Sequence, residues 1–163
     1  MALTGEFRLL TPQDVQTAFQ LELDGYPSDE AATLEIMQMR QREAPQLCTG
    51  YFECSGLFGF ILATRAVSEK FTHESMSAHE PDGESVCIHS VCVDKARRRQ
   101  GIALNLLKHF NDHVKNTQSG VKRIALLCHE RLIPLYSKAG FQFVGKSSIV
   151  HGQESWFEMV MLV

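Results

Sequence analysis

The stretch IHSVCVDKARRRQGIALNLL, residues Ile88–Leu107, decides the fold. Its first part belongs to the nearly all-apolar run SVCIHSVCV, Ser85 to Val93, which reads as a strand buried on both faces. Asp94 to Gln100 is a basic turn. From Gly101 onward Ala103, Leu106, Leu107, Phe110 and Val114 recur at the spacing of one helix face. The first N–H groups of such a helix have no intrahelical partner, and the helix dipole makes that end positive. Gly101 lets an anion approach the backbone closely. Arg98, Arg99 and Gln100 add donors around it. Strand, basic turn and helix together make a pyrophosphate cradle. The nucleotide-binding loops G-x-x-x-x-G-K-[ST] and G-x-G-x-x-G are both absent. An exposed basic turn without a ligand remains the plain alternative for the arginines alone.

Working outward, Glu6 to Leu10 reads as a first strand. A helix follows from Thr11, with Pro12 and Asp14 suited to its start and Val15, Ala18, Phe19 and Leu23 on its apolar face. Gly25-Tyr26-Pro27 breaks it. A second helix is expected from Ser28-Asp29-Glu30 to Pro45, with Leu34, Met37 and Met39 inward. Leu47–Glu53 and Leu57–Thr64 read as a hairpin turned at Cys54-Ser55-Gly56. Residues 66–84 form a long polar loop with a helical turn near His73 to His79. Beyond the central unit come a strand at Arg123–Cys128 and a short helix, Arg131–Ala139, stopped by Gly140. Strands at Phe141–Val144 and Trp156–Val163 close the chain. The order β-α-α-β-β-β-α-β-α-β-β predicts one mixed α/β domain over residues 1–163, with helices flanking a central sheet.

Composition narrows the function. A formal net charge of −3 speaks against a general nucleic-acid binder. The five cysteines, Cys48, Cys54, Cys87, Cys92 and Cys128, have no C-x-x-C spacing, so they suggest neither a zinc site nor a disulfide framework. Reduced thiols in a cytoplasmic protein are the simpler expectation. The start MALTGEFRLL lacks the pattern of a secretory signal, and every apolar run is too short to span a membrane.

Arg98-x-x-Gly101-x-Ala103 after a buried strand resembles the acetyl-CoA signature of the GNAT superfamily of N-acetyltransferases. The blocks FTHESMSAHEPDG, IHSVCVDKARRRQGIALNLL and LIPLYSKAGFQFVG together resemble the arylalkylamine (serotonin) N-acetyltransferase family, nearest its non-vertebrate and fungal members. The resemblance runs from about Arg8 to the C-terminus. It implies the GNAT fold: a mixed, mostly antiparallel sheet whose strands splay at the acetyl-CoA site. It implies acetyl transfer to the primary amine of arylalkylamines such as tryptamine, phenethylamine or serotonin, by direct attack in a ternary complex. Diamines or polyamines are a possible extension, since some relatives are polyamine acetyltransferases.

Such a reaction must deprotonate an alkylamine with a pKa near that of lysine, about 10.4. It must also hold the thioester carbonyl and protonate the leaving thiolate. The resemblance implies His89 for the amine's proton path and Tyr136 as general acid to the coenzyme sulfur. A packed core histidine and a packed helix-face tyrosine are the plain alternatives. Val91, Cys92 and Val93 are expected to serve the pantetheine arm. Arg98, Arg99, Gln100, Gly101, Ile102, Ala103 and Leu104 are expected to hold the pyrophosphate, with Arg97 a solvated flank. Tyr26 and Pro27 are expected in the acceptor wall, with Cys87, His89 and Cys128 also facing substrate. Strand alternation sets Cys87 beside His89, where vertebrate members have a second histidine. His129 is open to two readings, a second titrating group or an exposed strand-end residue. Asp24, Asp29, Glu30 and Glu35 either attract cationic amines or are solvated helix starts. The vertebrate Cys-Pro-Leu insertion is missing, which argues against a narrow indole preference. The phosphorylated arms of vertebrate members have no counterpart, so no adaptor binding is expected. No metal, membrane or nucleic-acid partner is implied, and a monomer is expected. Competing functions are a protein lysine acetyltransferase and a non-catalytic acyl-CoA sensor.

Overall fold

The computed structural model describes residues 3–54 and 56–163. Its strands are β1 (Glu6–Leu9), β2 (Cys48–Glu53), β3 (Gly56–Ala66), β4 (Ser85–Val93), β5 (Arg123–Cys128), β6 (Gln142–Lys146) and β7 (Phe157–Leu162). Its helices are α1 (Asp14–Gly25), α2 (Leu34–Glu43), α3 (His73–Ser77), α4 (Ile102–Thr117) and α5 (Ile133–Lys138). Among the described residues one seven-stranded sheet runs β1-β2-β3-β4-β5-β7-β6. β4 and β5 are its parallel pair, and the other neighbours are antiparallel. The mixed α/β architecture expected from the sequence is present. The expected hairpin joins β2 to β3, with Glu53 opposite Gly56; Ser55 of its turn lies outside the described residues.

The sheet is covered on both faces, which is why β4 is nearly all apolar. On one face Ile102, Leu106, Leu107, Phe110 and Val114 of α4 pack with Val86, Ile88, Ile124 and Leu126. Each such buried side chain stabilises the fold by about 2 kcal/mol. On the other face α1 and α2 cover Phe60, Leu62 and Cys92.

Three local expectations are corrected. The second helix begins at Leu34, where the Thr33 hydroxyl accepts from the Ile36 N–H, and not at Ser28. Residues Pro27 to Ala31 make a single turn, because the Glu30 side chain is drawn into the interior. Leu23 is 47% exposed, and α1 buries Leu21 and Glu22 in its place. A buried carboxylate breaks the apolar pattern that periodicity looks for. Arg97 is no solvated flank: its guanidinium meets Glu53 at 2.7 Å and lies over the Phe58 ring.

Candidate active site

The site grows from two irregularities in β4. The first is a splay. β4 pairs with β5 from Ser85 to Ile88 and no further, so Ser90–Val93 part from Leu127 and Cys128. The backbone of Val91 is thereby opened toward α1, and the Tyr26 hydroxyl occupies it. Tyr26 donates to the Val91 carbonyl at 3.1 Å and accepts from the Val91 N–H at 3.3 Å.

The second irregularity is a bulge. Leu62 of β3 lies opposite Ser90, and Ala63 opposite Ile88, which leaves His89 without a cross-strand partner. A bulge interrupts side-chain alternation. Ser90 and Cys92 therefore follow His89 on the α1–α2 side of the sheet, whereas Val91 packs on the α4 side. Cys87 packs with Ala66, Phe71 and Ile149, and Phe71, its ring 5.6 Å from that of His89, lines the same cavity as His89. Cys87 thus shares a side of the sheet with His89 but sits beneath the cavity lining. Cys87 lines neither of the cavities described below, and burial pushes its thiol up to about 12. Cys128 is likewise packed in the main core, with its thiol raised to about 11 by burial.

Two cavities flank the splay. The first, about 300 Å³, is lined by Gly25, Tyr26 and Pro27, by Val91 to Val93, and by Arg98, Ala103 and Tyr136. The basic turn stands at its mouth. Among the described residues Arg98 and Arg99 make no ion pair. Arg99 (φ 65°) and Gly101 (φ 80°) are both left-handed, which curls the chain into the start of α4. The cation pair, the curled backbone and the free amides at the helix start fit a pyrophosphate. Tyr136 is 5% exposed, its ring edge against Phe141. Burial first, and the nearby Cys128 and Cys92 thiols second, push its phenol above the ordinary value. It therefore stays protonated and can donate a proton.

The second cavity, about 290 Å³, lies under α2 and α3. Tyr26 and Glu30 line both cavities and form the wall between them. Its surface is mainly apolar, from Ile36, Phe71, Met76, Ile149 and Trp156, with Glu22, Arg40, His89 and Ser90 set among them. His89 Nε2 lies 2.7 Å from the Thr64 hydroxyl, and its Nδ1 has no partner in the protein. Burial, with the positive charge of Arg40 adding to it, holds the imidazole pKa well below the ordinary value. His89 is thus neutral and can accept a proton.

Several of these residues were not singled out in the sequence. Glu22, Arg40 and Thr64 read there as ordinary helix or strand positions. His129 is neither exposed nor solitary: it is 4% exposed, with Nε2 2.7 Å from Glu30 Oε1. Its ring stacks on Trp156 at 4.2 Å, and His151 reaches the Glu30 carbonyl at 3.0 Å. Glu30, 7% exposed, is a buried partner and not a solvated helix start. These contacts tie the turn after α1 to the end of β5. Glu154 is also near, and among the described residues these three are the group whose ligand atoms could share a metal ion. The Glu30–His129 hydrogen bond already accounts for their approach.

Comparison with known proteins fits this geometry. The acetyltransferase (GNAT) domain family matches residues 77–163. A serotonin N-acetyltransferase of Mesocricetus auratus is 33% identical over 157 residues, covering 94% of this chain and 75% of that protein. Among solved structures, a GNAT-like decarboxylase, GphF, in complex with isobutyryl-CoA superposes with a TM-score of 0.84 at 16% identity, covering 96% of this chain and 98% of that one. The loading GNATL domain of CurA from Lyngbya majuscula gives 0.86 at 14% identity, covering 98% of each chain. These two likenesses concern the fold alone.

Proposed function

Because the chain belongs to the GNAT acetyltransferases, and within them to the arylalkylamine N-acetyltransferase family, we propose that it moves an acetyl group from acetyl-CoA to the primary amine of an arylalkylamine. The observation that carries this reading is the pair of cavities sharing the Tyr26–Glu30 wall at the β4 splay. One is rimmed by unpaired arginines and free helix amides. The other is mainly apolar and aromatic-lined, the shape and chemistry of an aryl side chain.

Arg98, Arg99, Gln100 and the amides of Gly101 to Leu104 hold the pyrophosphate. Val91 to Val93 line the pantetheine arm. The bound coenzyme supplies an activated acetyl thioester. The Val91 N–H, once freed from Tyr26, is a donor for the thioester carbonyl oxygen, on which negative charge builds during attack. His89 takes up the proton that the ammonium loses, through solvent in the acceptor cavity, so that the neutral amine forms the new C–N bond. Tyr136 gives its phenolic proton to the departing sulfur as the C–S bond breaks. The products are an N-acetyl amine and free CoA thiol, and both side chains then recover their protonation from solvent. Cys87 has no part as an acetyl carrier, since a thiol raised to about 12 is not a thiolate near neutrality.

A second ammonium entering the acceptor cavity would meet the Arg40 guanidinium and the Glu22 carboxylate together, so the aromatic and aliphatic lining, and not the charge, is what favours an aryl amine over a polyamine. The test is a steady-state screen of CoA release with tryptamine, phenethylamine, serotonin, putrescine and spermidine. Turnover led by the aryl amines is expected. Release with none of the five, or activity on lysine peptides above that on every small amine, would overturn the reading.

A further inference from the structure

The loop that offers the pyrophosphate donors, residues 98–101, holds a strained residue. Arg99 carries a side chain yet sits at φ 65°. Left-handed backbone is unfavourable for such a residue and persists only where the surroundings impose it. Gly101, at φ 80°, completes the curl into α4.

The curl is imposed from the two ends of the loop. At the far end Ile102 is 1% exposed in the main core, and the Asn105 side chain donates to the Gly101 carbonyl at 2.8 Å. At the near end stands Arg97. Its N–H donates to the Asp94 carbonyl at 2.9 Å, and the Asp94 N–H donates to the Phe58 carbonyl at 2.8 Å. Its guanidinium donates to Glu53 Oε1 at 2.7 Å and lies 4.1 Å over the centre of the Phe58 ring. Glu53 is fixed in turn. Its Oε2 accepts from the Tyr51 hydroxyl at 2.6 Å, and the Tyr51 oxygen accepts from the Gly5 N–H at 3.0 Å. Tyr51 is buried in the main core. One line of contacts thus runs from the core through Tyr51, Glu53 and Arg97 to the loop.

Neither Glu53 nor Arg97 lines the coenzyme cavity or the acceptor cavity, whereas Arg98 lines the first. A carboxylate behind an anion-binding loop opposes the anion through its charge. Charge therefore does not explain its place there, and holding Arg97 does. With the near end of the loop released, Arg99 can relax out of the left-handed region, and the donors must be ordered again each time the coenzyme binds.

We propose that Glu53, acting through Arg97, is a positioning residue for the coenzyme. It braces the loop so that the donors around Arg99 and Gly101 face the pyrophosphate before the coenzyme arrives. This rests on the acetyl-CoA reading above and adds to it a residue from the β2–β3 hairpin, distant from the loop in sequence.

The experiment titrates CoA calorimetrically into the unmodified protein, Glu53→Gln, Arg97→Met and Arg97→Lys, and measures KM for acetyl-CoA and for tryptamine in each. Glu53→Gln separates the two causes by sign. Removing a carboxylate should tighten CoA if only charge matters, and should weaken it if the brace matters. We expect weakening by about fivefold or more, the scale of one strained residue released. KM for acetyl-CoA should rise in parallel, with kcat at saturation and KM for tryptamine unchanged. Arg97→Met should weaken CoA as much, and Arg97→Lys less, since it keeps a cation for Glu53. Tyr51→Phe, which leaves the carboxylate in place and removes its support, should act in the same direction. Glu53→Gln binding CoA as tightly as the unmodified protein, or more tightly, overturns the brace and leaves amine acetylation standing. An equal rise in both KM values would mean a general loosening and overturns it too. Absence of CoA binding in the unmodified protein overturns the acetyl-CoA reading and the brace together. The titration decides the brace whichever amine is the acceptor.

Discussion

Tyr26→Phe isolates the contact that closes the splay. The substitution removes one hydroxyl and keeps the ring, so packing against α1 and β4 is preserved. Lost are the donation to the Val91 carbonyl at 3.1 Å and the acceptance from its N–H at 3.3 Å. Both bonds are slightly long, and the cleft admits water to the freed backbone, so the net loss is about 1 kcal/mol. For a chain of this size that lowers the midpoint of thermal unfolding by roughly 2–4 °C. The same loss should favour the coenzyme. If the pantetheine arm uses the Val91 backbone, the free enzyme must first give up the Tyr26 contacts, and the variant has none to give up. The coenzyme's Kd should then tighten about fivefold, the equivalent of about 1 kcal/mol. Calorimetric titration with CoA and thermal unfolding with and without it measure both effects. A variant that loses stability while binding CoA with unchanged or weaker affinity would refute the competition and remove Val91 from the coenzyme site.

Other substitutions probe the remaining parts. Gly101→Ala places a Cβ on a residue at φ 80°; it should cost about 1 kcal/mol of stability and weaken CoA binding, both readable in the same titrations. His129→Ala leaves the buried Glu30 side chain without its hydrogen-bond partner at 2.7 Å, so denaturant unfolding should show a loss of about 2 kcal/mol, whereas Glu30→Gln, which keeps a hydrogen-bonding group, should lose less. The pKa of His89 is depressed in the fold, so the unfolded chain binds that proton more readily. Its stability contribution is intact above the unfolded value of about 6.5 and declines as pH falls below it. Unfolding titrations across that window should therefore fall less steeply with acid in His89→Gln than in the unmodified protein. Tyr136→Phe should lower kcat by about a hundredfold or more if the phenol is the general acid, with CoA affinity little changed; an unchanged kcat would return Tyr136 to a packing role.

The fold was legible because its governing signals are local. A continuous apolar run in β4, a basic turn with Gly101, and a 3.6-residue repeat in α4 follow one another within thirty residues, and together they fix a parallel β4–β5 pair with α4 on one face. The coenzyme cavity was legible for the same reason, since its arginines and helix amides are neighbours in the chain. Where the reading slipped, a tertiary contact overrode a local preference. Ser28-Asp29-Glu30 has the composition of a helix start, but Glu30 is buried against His129, and the start moves to Thr33. Arg97 looks solvated until the β2–β3 turn brings Glu53 within 2.7 Å.

The acceptor cavity was hidden for a deeper reason. Its polar groups come from α1, α2, β4 and the turn after α1, and Glu22, Arg40 and His89 are brought together from three separate elements. No periodicity reports that a charged residue on a helix faces inward, because the rules that find a core assume apolar residues there. Glu22 and Arg40 violate those rules, and a violation is stable when function repays it. The β4 bulge has the same character. Unbroken alternation would carry Val91 onto the side of Cys87 and His89. A single register slip between Leu62 and Ala63 sets Ser90 and Cys92 on that side and turns Val91 to the α4 side, and the slip has no signature in the residues that make it. If the splay serves the coenzyme and the bulge serves the acceptor, the two irregularities of β4 are separable. Deleting Ser90 removes the bulge while alternation keeps His89, Val91 and Cys92 on their present sides. The KM for the amine should then rise while CoA binding, which depends on the splay and the α4 loop, persists; equal loss of both would mean that the two features are one.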